Sequence, residues 1–570
     1  MPPASPDLIV PMDQPHDDAG GPALSHWLTP LASSAGAALT ACGGGASSAS
    51  PAPPLITSGA ITASQAARFL AQATLGFTRR ELDELVKLKD YGAWIDAQFT
   101  APTTTGHVDW LIAKGYNAAT NINNTNGLDN TIWRKFISSP DALRQRMVLA
   151  LSEICVVSLL GINGPWRQFS VARYLDILET HAFGNYRNLL RDITLSPAMG
   201  YYLTFRGNVK ANPTTGSEPD ENYAREIMQL FTIGLVKLNT DGTVQLRGGA
   251  AVETYAQADV SGLARVFTGW DLDVSGLAAP YPPDIQWRPM VQVPARYETG
   301  SKTFLGVTIP AGVGAEQSLA TALDTLFNHP NTAPFISKQL IQRLVTSNPS
   351  PAYVGRVAAA FANNGSGVRG DLRAVLRAIL LDAEARDEVQ AAAPTFGKLR
   401  EPMVRFLNWA RAYRVTSPSD VWAVGDLSDP SSKLGQSPMR SVSVFNFFRP
   451  GYVPPGTELS ARTLTGPEFQ ITNESTVAGY VNFMQRAVSG QGPGDLKADY
   501  SALLALAGDS AALVNEIHQV LACGQLSAAA LGTIRAALDG MPAATDAGKQ
   551  ARVYAALTLV LAAPEFITQR

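Results

Sequence analysis

The chain has 570 residues, of which 46% are hydrophobic and 16% are charged, and its formal net charge is -3. This length predicts roughly two to four domains, and the near-neutral charge argues against the strongly basic class of nucleic-acid-binding proteins. The three cysteines form no CxxC pair, which argues against a disulfide-rich scaffold and against a thiolate zinc site. Cys155 and Cys523 lie in apolar runs, so we expect both to be buried as small hydrophobic side chains.

Residues 1–60 differ from the rest of the chain, because they contain no Lys or Arg and are rich in Pro, Ala, Ser and Gly. A mildly apolar stretch ends in Leu39-Thr40-Ala41-Cys42, and a Gly/Ser/Ala/Pro tract follows. This pattern resembles the lipobox of bacterial lipoproteins, which implies export, lipidation of Cys42 and a flexible tether behind it. The start of the segment is acidic where a signal peptide is positive, which leaves a disordered acidic leader as the alternative.

We therefore expect an extracytoplasmic protein, in the periplasm or at the cell surface, with Cys42 as the site of a lipid anchor. No run of about 18–20 apolar residues occurs elsewhere, so we expect no membrane-spanning helix.

Helical patterns begin at Thr62. The capping-box spacing of Thr78 and Glu81 predicts the start of one long helix that runs toward Phe99. Further helices are predicted over 139–158, 173–180 and 186–195. Residues 205–222 are polar and contain Gly and Pro, which predicts a loop ahead of a helix over 221–233.

The middle of the chain contains a predicted β element. Residues 236–246 alternate around Asp241-Gly242, which is typical of a hairpin, and residues 304–309 predict a strand. Helical patterns return over 315–349, 351–363, 371–386 and 398–413. We predict a mainly α fold with a multi-helix globular body, a small β-hairpin element and long irregular loops. The predicted division is a leader and linker over 1–60, a helical body over 61–412, a loop-rich connection over 413–470 and a C-terminal helical block over 471–570.

The densest polar motif runs from Asp220 to Gly234. Asp220 can cap a helix whose first turn holds Glu221, Glu221 and Arg225 stand i, i+4 apart and can pair, and Gly234 can end the helix. Apolar residues occur on most sides of this helix, so we expect it to be largely buried, with its Arg and Glu side chains paired. Such a network either specifies the fold or serves a function.

Further motifs accompany this helix in a fixed order. They are Ala67-Arg68-Phe69-Leu70, Leu143-Arg144-Gln145-Arg146, Arg265-Val266-Phe267-Thr268-Gly269-Trp270, Lys302-Thr303-Phe304-Leu305-Gly306, His329-Pro330, Lys398-Leu399-Arg400-Glu401-Pro402 and Leu434-Gly435-Gln436. Together they resemble the signature of the bacterial domain-of-unknown-function 1800 family, over roughly residues 62–570.

The resemblance implies an exported bacterial protein whose family has no assigned biochemical role. Its relatives are often encoded beside a second exported protein that looks sulfatase- or phosphatase-like, which suggests that protein as a partner by association. Leu151-Ser152-Glu153 lacks a histidine that many relatives carry here, and Tyr297-Glu298 replaces their His-Asp. The resemblance therefore does not imply a histidine-bound metal in this chain.

Candidate functional residues follow from the signature motifs. The candidate acid/base carboxylates are Glu226, Asp220 and Glu221, with Glu298 and Glu401 as further candidates. The candidate binding residues are Asn222, Tyr223, Arg225, Arg265, Trp270 and Lys302. Three more aromatics, Tyr281, Trp287 and Tyr297, would suit carbohydrate if they shared a cleft with carboxylates, and would otherwise serve packing.

Other motifs give weaker evidence for a functional site. The six histidines form no close ligand pair, and His329 before Pro330 is typical of a helix start, so the sequence predicts no metal site. Gly365-Ser366-Gly367-Val368-Arg369-Gly370 spells GxGxxG but follows a helical segment rather than a strand, which predicts a helix–helix loop. With no P-loop and no GxSxG motif either, we expect no cofactor.

Three functions stay open on this evidence. The first is an accessory cell-envelope protein that binds a polysaccharide, another polymer or a partner protein. The second is an exported hydrolase- or lyase-like enzyme that uses carboxylate and Arg/Lys chemistry. The third is a metal-dependent oxidoreductase. Convergence of Asp220, Arg225, Glu226, Arg265 and Lys302 on an open cleft would favour an enzyme, whereas a closed, paired network would favour a binding or structural role.

Overall fold

The computed structural model of the protein describes Ile56 and residues 59–570, and it confirms the predicted mainly α fold class. Cys42, the expected lipidation site, lies outside the described residues. The first helices begin where the sequence places capping side chains: Thr62 and Thr78 form capping boxes with Gln65 and Glu81. Nine helices form this first part: α1 (Ala63–Ala73), α2 (Arg79–Leu88), α3 (Tyr91–Phe99), α4 (His107–Ala113), α5 (Leu128–Ser138), α6 (Ala142–Ile154), α7 (Arg167–His181), α8 (Tyr186–Thr194) and α9 (Pro197–Tyr202).

The long helix predicted from Thr78 to Phe99 is wrong, because α2 and α3 are separate. Lys89 adopts a left-handed conformation (φ 58°) that ends α2. Asp90 then begins α3, and its carboxylate accepts the Ala93 N–H at 2.9 Å. A left-handed residue followed by an N-cap therefore breaks a segment whose apolar pattern is continuous.

The central segment holds the signature helix α10 (Asn222–Gln229), α11 (Gln257–Ala264) and three two-stranded antiparallel sheets: β1 (Leu246–Arg247) with β2 (Ala250–Ala251), β3 (Trp270–Asp271) with β4 (Val291–Gln292), and β5 (Lys302–Phe304) with β6 (Val307–Ile309). The predicted turn at Asp241-Gly242 forms, closed by a bridge between Leu238 and Val244. The strand predicted over 304–309 is instead a hairpin, because Leu305 and Gly306 both have positive φ, as a tight two-residue turn requires.

The next helices are α12 (Ala315–Asn328), α13 (Thr332–Leu344), α14 (Pro351–Ala362), α15 (Leu372–Leu381), α16 (Ala383–Arg386), α17 (Glu388–Ala392) and, after strand β7 (Lys398–Leu399), α18 (Pro402–Ala412). The helical pattern predicted over 315–349 forms two helices, and α13 begins just after His329-Pro330, close to where that dipeptide predicts a helix start. The helix predicted from residue 398 begins at Pro402, and residues 398–399 form a strand instead. Residues 365–370 form the predicted loop between α14 and α15.

The last part of the chain packs against the first. It contains α19 (Glu458–Ala461), α20 (Glu474–Val488), α21 (Ser501–Leu506), α22 (Ser510–Val520), α23 (Ala528–Asp539), α24 (Asp546–Ala562), α25 (Pro564–Ile567) and β8 (Thr568–Gln569). Strand β8 pairs antiparallel with β7, and α22 contacts α1. The predicted loop-rich connection contains only the short helix α19 and a 3-10 turn, Pro467–Ile471.

Three helices form the centre of the core. Helices α6, α13 and α18 are buried along almost their whole length, and charged side chains lie inside with the apolar ones. Cys155 and Cys523 are both buried thiols, as predicted. Among the described residues, no helix combines the length and the apolar character that crossing a membrane requires.

Candidate functional site

The signature helix α10 begins later than predicted and is shorter: Glu221 occupies the N-cap position without a capping bond from its side chain, so it does not lie in the first turn. Asp220 instead forms a turn just ahead of the helix. One Asp220 carboxylate oxygen accepts the Asn222 N–H and the other accepts the Thr204 hydroxyl, each at 2.8 Å. The helix ends at Gln229, five residues before Gly234, because the next N–H groups bond to carbonyls five residues back: Phe231 N–H donates to Glu226 at 3.3 Å. This wider turn closes the helix before the glycine is reached.

The pairing of Glu221 with Arg225 occurs, but at the surface. Their charged atoms lie 3.2 Å apart, and the side chains are 31% and 39% exposed. Gln257 and Ser261 of α11 also donate to the Glu221 carboxylate, at 2.7 and 2.6 Å. The expectation that Arg225 is buried in a closed network is therefore wrong, because α11 covers only one side of this turn.

Glu226 is buried, as expected, but the expected pairing is absent. Its side chain is 7% exposed, and its Oε2 has no hydrogen-bond partner among the described residues. Burial raises the pKa of the Glu226 carboxyl to about 7, and the neighbouring Arg225 charge opposes the rise. Glu226 therefore exchanges its proton near neutral pH, as a general acid or base must.

Two of the predicted binding residues are packing residues. Tyr223 is fully buried, stacks on Phe205 with ring centroids 4.3 Å apart, and shares a hydrogen bond of 2.6 Å with the Thr194 hydroxyl. Trp270 is fully buried in β3. Neither side chain can contact a ligand without rearrangement of the core, and both contribute to its packing.

Lys302, Arg265 and Glu298 belong to a separate group beneath the β5–β6 hairpin. Lys302 is fully buried, its Nζ donates to the Gly300 carbonyl at 3.0 Å, and it lies 4.7 Å from the centre of the Tyr297 ring. Burial lowers the pKa of the Lys302 ammonium, Glu298 opposes this, and Arg265 adds to it. The candidate residues thus divide between the α10 surface, the buried Glu226 and this hairpin, and do not line one cleft together.

An open cleft of about 540 Å³ lies elsewhere, beside α4 and α7. Its walls are mostly polar and include one aromatic; the lining side chains include Thr103, Thr104, Asp109, Arg144, Arg173, Asp176, Glu179, Thr180 and Trp287. Of the aromatic residues that the sequence suggested for carbohydrate binding, Trp287 is the one that lines this cleft together with carboxylates. The carboxylates are Asp109, Asp176 and Glu179, none of which the sequence analysis selected.

Asp176 holds one wall of the cleft together. Helix α4 begins after Gly106 and has no side-chain cap of its own. The two Asp176 carboxylate oxygens supply that cap from α7, because they accept the His107 and Val108 N–H groups at 2.7 and 3.1 Å. Burial raises the pKa of Asp176 to about 6, against the effect of these two hydrogen bonds. The cleft therefore presents a fixed carboxylate that is partly protonated near neutral pH.

Behind the cleft lies a buried polar layer centred on Glu179. Its carboxylate pairs with Lys135 and accepts the Gln145 amide at 2.9 Å. The His107 ring lies 3.7 Å from the same carboxylate, but burial and the Lys135 charge hold the pKa of His107 well below its usual range. The imidazole is therefore neutral, and Lys135 is the cation that balances Glu179.

Arg144 joins this layer to the rim of the cleft. Its guanidinium lies 3.2 Å from the Asp141 carboxylate and donates to the Glu179 carbonyl at 2.8 Å. The side chain also lines the cleft. Arg144 and Gln145 of one sequence motif thus both serve the cleft.

Glu401, a further acid/base candidate, lies in a second and fully enclosed charge cluster. It accepts the Gln436 amide at 2.7 Å, and Glu153 of α6 lies beside it. Burial, with the neighbouring Glu401 carboxylate, raises the pKa of Glu153 well above its usual range. Glu153 is therefore protonated and Glu401 ionised.

The bases of this enclosed cluster are Arg146, Arg343 and Lys398. Arg343 lies 3.4 Å from Glu153, and Lys398 lies 2.9 Å from Glu468 in an ion pair with side chains only 2% and 1% exposed. Because no part of this ion pair is open to solvent, the cluster is a structural network of the interior and offers no route for a substrate.

Sequence motifs supply residues to both charge clusters, although Glu401 is the one cluster residue among the predicted candidates. The motif Leu143-Arg144-Gln145-Arg146 contributes residues to each cluster, Lys398 and Glu401 belong to one motif, and Gln436 belongs to another. Asp176 and Glu179 carried no such signal, because they stand in none of these motifs, although the helix predicted over 173–180 contains both. No group of three or more His, Cys, Asp or Glu side chains arranged to hold a metal occurs in the part of the chain that the structure describes.

A family model described as "Protein of unknown function (DUF1800)" matches residues 68–568. No protein of curated function and no solved structure matches the chain. The motifs that distribute Arg144, Arg146, Lys302 and Glu401 over the clusters all fall within the matched region. The chain therefore belongs to the DUF1800 family.

Proposed function

We propose that this protein is an exported bacterial cell-envelope protein that binds a hydroxylated polymer, such as a polysaccharide, in the cleft beside α4 and α7. The observation that supports this proposal most directly is the set of residues that line the cleft. They combine the Trp287 ring with threonine hydroxyls, carboxylates and the guanidinium groups of Arg144 and Arg173. Sugar rings stack on aromatic faces, and their hydroxyls are bound by carboxylates and guanidinium groups. A volume of about 540 Å³ lies within the usual range for small-ligand sites, about 300–1,000 Å³.

The carboxylates of the cleft support binding more than catalysis. Both oxygens of Asp176 already accept backbone N–H groups, and Glu179 is held by Lys135 and Gln145. A carboxylate fixed in this way presents its remaining lone pairs in a constant geometry, which favours recognition of hydroxyl groups. A nucleophile or a mobile acid would need more freedom than these contacts leave.

Binding of the full chain to insoluble polysaccharides, with peptidoglycan and a neutral glucan as the two probes, tests this proposal. Trp287→Ala should weaken binding, and Trp287→Phe, which keeps an aromatic face, should retain most of it. Tyr281→Ala is the matched control, because Tyr281 is an exposed aromatic outside the residues that line the cleft. Binding that is absent for both probes, or equal in Trp287→Ala and the control, would contradict the proposal.

A second candidate function is hydrolysis or elimination on such a polymer, with Glu226 as the acid or base. The supporting observation is a buried carboxyl with an unpartnered oxygen and a pKa of about 7. Catalytic efficiency of an acid or base is greatest when its pKa lies near the working pH. Release of reducing ends by the wild type, and its loss in Glu226→Gln with an unchanged melting temperature, would support this function.

Export and membrane attachment are part of the proposal and are supported by the composition of residues 1–60 and by the motif at Cys42. Cys42→Ser should leave the protein exported but unprocessed and without lipid, measured by metabolic labelling with a fatty acid. Peripheral association through a partner, such as the second exported protein encoded nearby, would instead survive this substitution. Co-purification with that neighbour, before and after deletion of its gene, separates the two.

A further inference from the structure

Two buried arginines lie side by side without a carboxylate partner. Arg68 and Arg386 are each 6% exposed, and neither forms an ion pair within the described part of the chain. Arg68 donates instead to the backbone carbonyls of Asp387, at 3.0 Å, and of Arg386. Arg386 donates to the Gln72 amide oxygen. These neutral oxygen atoms accept hydrogen bonds from some N–H groups of the two guanidiniums, but they do not balance the two positive charges.

Arg386 carries its charge in surroundings that stabilise a cation poorly. Burial, followed by repulsion from Arg68, lowers the pKa of the Arg386 guanidinium to about 9. Arg386 lies over the rings of Phe69 and Tyr91, at 5.1 and 5.6 Å, which offers only partial stabilisation of a cation. Buried charges in proteins are normally paired, so a missing counter-ion is the simplest explanation of this arrangement.

A second open cleft, also of about 540 Å³, lies directly beside Arg68. The side chains that could contact a ligand include Ser64, Gln65, Arg68, Gln525, Ser527 and Thr568. The Arg68 Nε–H is buried and has no hydrogen-bond partner among the described residues. The cleft therefore joins an unused guanidinium donor to hydroxyl and amide groups from α1, the α22–α23 loop and β8.

Glu388, Glu565 and the terminal residue Arg570 bring carboxylates to this cleft, and none of the three forms an ion pair with Arg68 within the described part of the chain. The terminal Arg570 oxygen accepts the Gln72 amide at 3.3 Å. Glu565 accepts the Ser527 hydroxyl at 2.9 Å and the Ser527 N–H at 3.3 Å, and so belongs to the start of α23. Glu388 is exposed at the rim and acts on Arg68 only as a longer-range charge. An anion can therefore approach the guanidinium without displacing an ion pair.

We propose that this cleft binds the oxyanion group, carboxylate or phosphate, of a small ligand through the Arg68 guanidinium. The planar fork of N–H donors on Arg matches the oxygens of both groups, and hydrogen bonds between two charged groups are the stronger kind. Gly524 helps to define the site: its φ is 72°, and a Cβ there would lie 2.4 Å from the Ser64 hydroxyl oxygen. This site is separate from the polymer cleft and does not depend on its function.

The experiment measures the melting temperature of the full chain in increasing sodium phosphate or sodium acetate, against sodium chloride at matched ionic strength. A ligand that binds only the folded state raises the melting temperature, and the stabilisation grows with the logarithm of its concentration once that exceeds the Kd. Because phosphate also stabilises proteins without binding a site, the rise is compared between Ala392→Gln and Ala392→Glu. A rise with phosphate alone that is smaller in Ala392→Glu identifies a phosphate site, and such a rise with acetate alone or with both anions identifies a site that accepts carboxylates. If neither anion exceeds chloride, the proposal is overturned.

Substitutions at the rim of this cleft test whether the bound ligand is negatively charged, and they leave the buried arginines in place. Ala392 is exposed and lines the cleft, so Ala392→Glu adds a negative charge there and Ala392→Gln adds the same volume without charge. Ala392→Glu should weaken anion binding by about three- to tenfold relative to Ala392→Gln, and Glu388→Gln should strengthen it. Equal apparent affinities in the two Ala392 variants would overturn the assignment to this cleft.

Discussion

Gln145 and Arg146 are neighbours in α6, yet each donates into a different buried charge cluster. The Gln145 amide donates to the Glu179 carboxylate at 2.9 Å, behind the cleft beside α4 and α7, whereas the Arg146 guanidinium donates to the Arg343 carbonyl at 2.6 Å, in the enclosed cluster. Successive residues of an α-helix point about 100° apart. Helix α6 therefore forms a partition, with the cleft layer on one side and the interior network on the other.

This partition separates the roles of the two clusters. The cleft layer reaches solvent through Arg144 and Asp176, which line the cleft, so its charges can act on a ligand. The enclosed cluster holds Glu153, Glu401 and Lys398 away from solvent and joins the last part of the chain to the core, because Glu468 supplies one of its carboxylates. Substitutions in the first cluster should affect binding, and substitutions in the second should affect stability.

Lys398→Met should destabilise the protein strongly, because it leaves the Glu468 carboxylate buried without its cation. Breaking a buried ion pair by removal of one partner costs about 3–5 kcal/mol. The double variant Lys398→Met/Glu468→Leu should recover part of this loss. The measurement is the free energy of unfolding from urea denaturation.

The matched control is Arg462→Ala, which removes the surface partner of Glu458, 2.8 Å away with side chains 50% and 75% exposed. Exposed pairs contribute about 0–1 kcal/mol. A loss in Lys398→Met no larger than in Arg462→Ala would show that the enclosed pair is not structural.

Arg225→Ala should lower the free energy of unfolding by less than about 1 kcal/mol, because its pair with Glu221 is partly exposed and Gln257 and Ser261 still bind Glu221. This small expected effect makes Arg225 useful for functional tests. If Arg225→Ala abolishes polymer binding while the protein stays folded, the α10 surface takes part in function; a drop of several kcal/mol would instead show that this turn is buried in solution.

The helical character of the protein could be predicted from periodicity and caps, because both are local properties. Thr78 and Glu81 form the capping box that their spacing indicates. The breaks within long apolar patterns could not be predicted, because Lys89 adopts a left-handed conformation that its residue type does not favour. Where helices break is decided by the packing of α2 and α3 against distant elements.

The candidate site was harder to predict because polar residue density says nothing about which residues meet. The sequence selected Glu226 correctly as a buried carboxylate, but it could not show that Arg225, one residue away, faces solvent. The cleft beside α4 and α7 depends on Asp176, which caps a helix that begins 69 residues earlier in the chain. Trp287 was noted as an aromatic, but only the structure places it beside Asp176.

Gly262→Ala should destabilise the protein because α11 packs directly on the β5 backbone. A Cβ at Gly262 would lie 1.8 Å from the Thr303 carbonyl oxygen, so the helix and the hairpin must separate. Overpacking of this kind costs about 1–3 kcal/mol or more. Gly532→Ala, in the exposed part of α23 with nothing within 4 Å of the added Cβ, should instead stabilise by about 0.4–1 kcal/mol. Thermal unfolding of both variants checks the opposite signs.

The pH dependence of stability should report the Glu226 carboxyl. Its folded pKa is about 7 and its ordinary value is 4.5, so between these values the folded state keeps a proton that the unfolded state has lost. Stability therefore falls as pH rises through this window and levels off above pH 7. Because Glu226→Gln lacks the ionisable group, its stability relative to wild type should rise by up to about 3 kcal/mol from pH 4.5 to pH 7.

The comparison with Glu226→Gln is needed because Asp176, with a pKa of about 6, contributes a slope of the same sign in an overlapping window. Asp176 is present in both proteins, so its contribution cancels in the difference while that of Glu226 remains. Urea denaturation at pH 4.5, 5.5, 6.5 and 7.5 gives the four differences. If the difference is constant across this range, the carboxyl of Glu226 has the same pKa in the folded and the unfolded protein, and its candidacy as an acid near neutral pH fails.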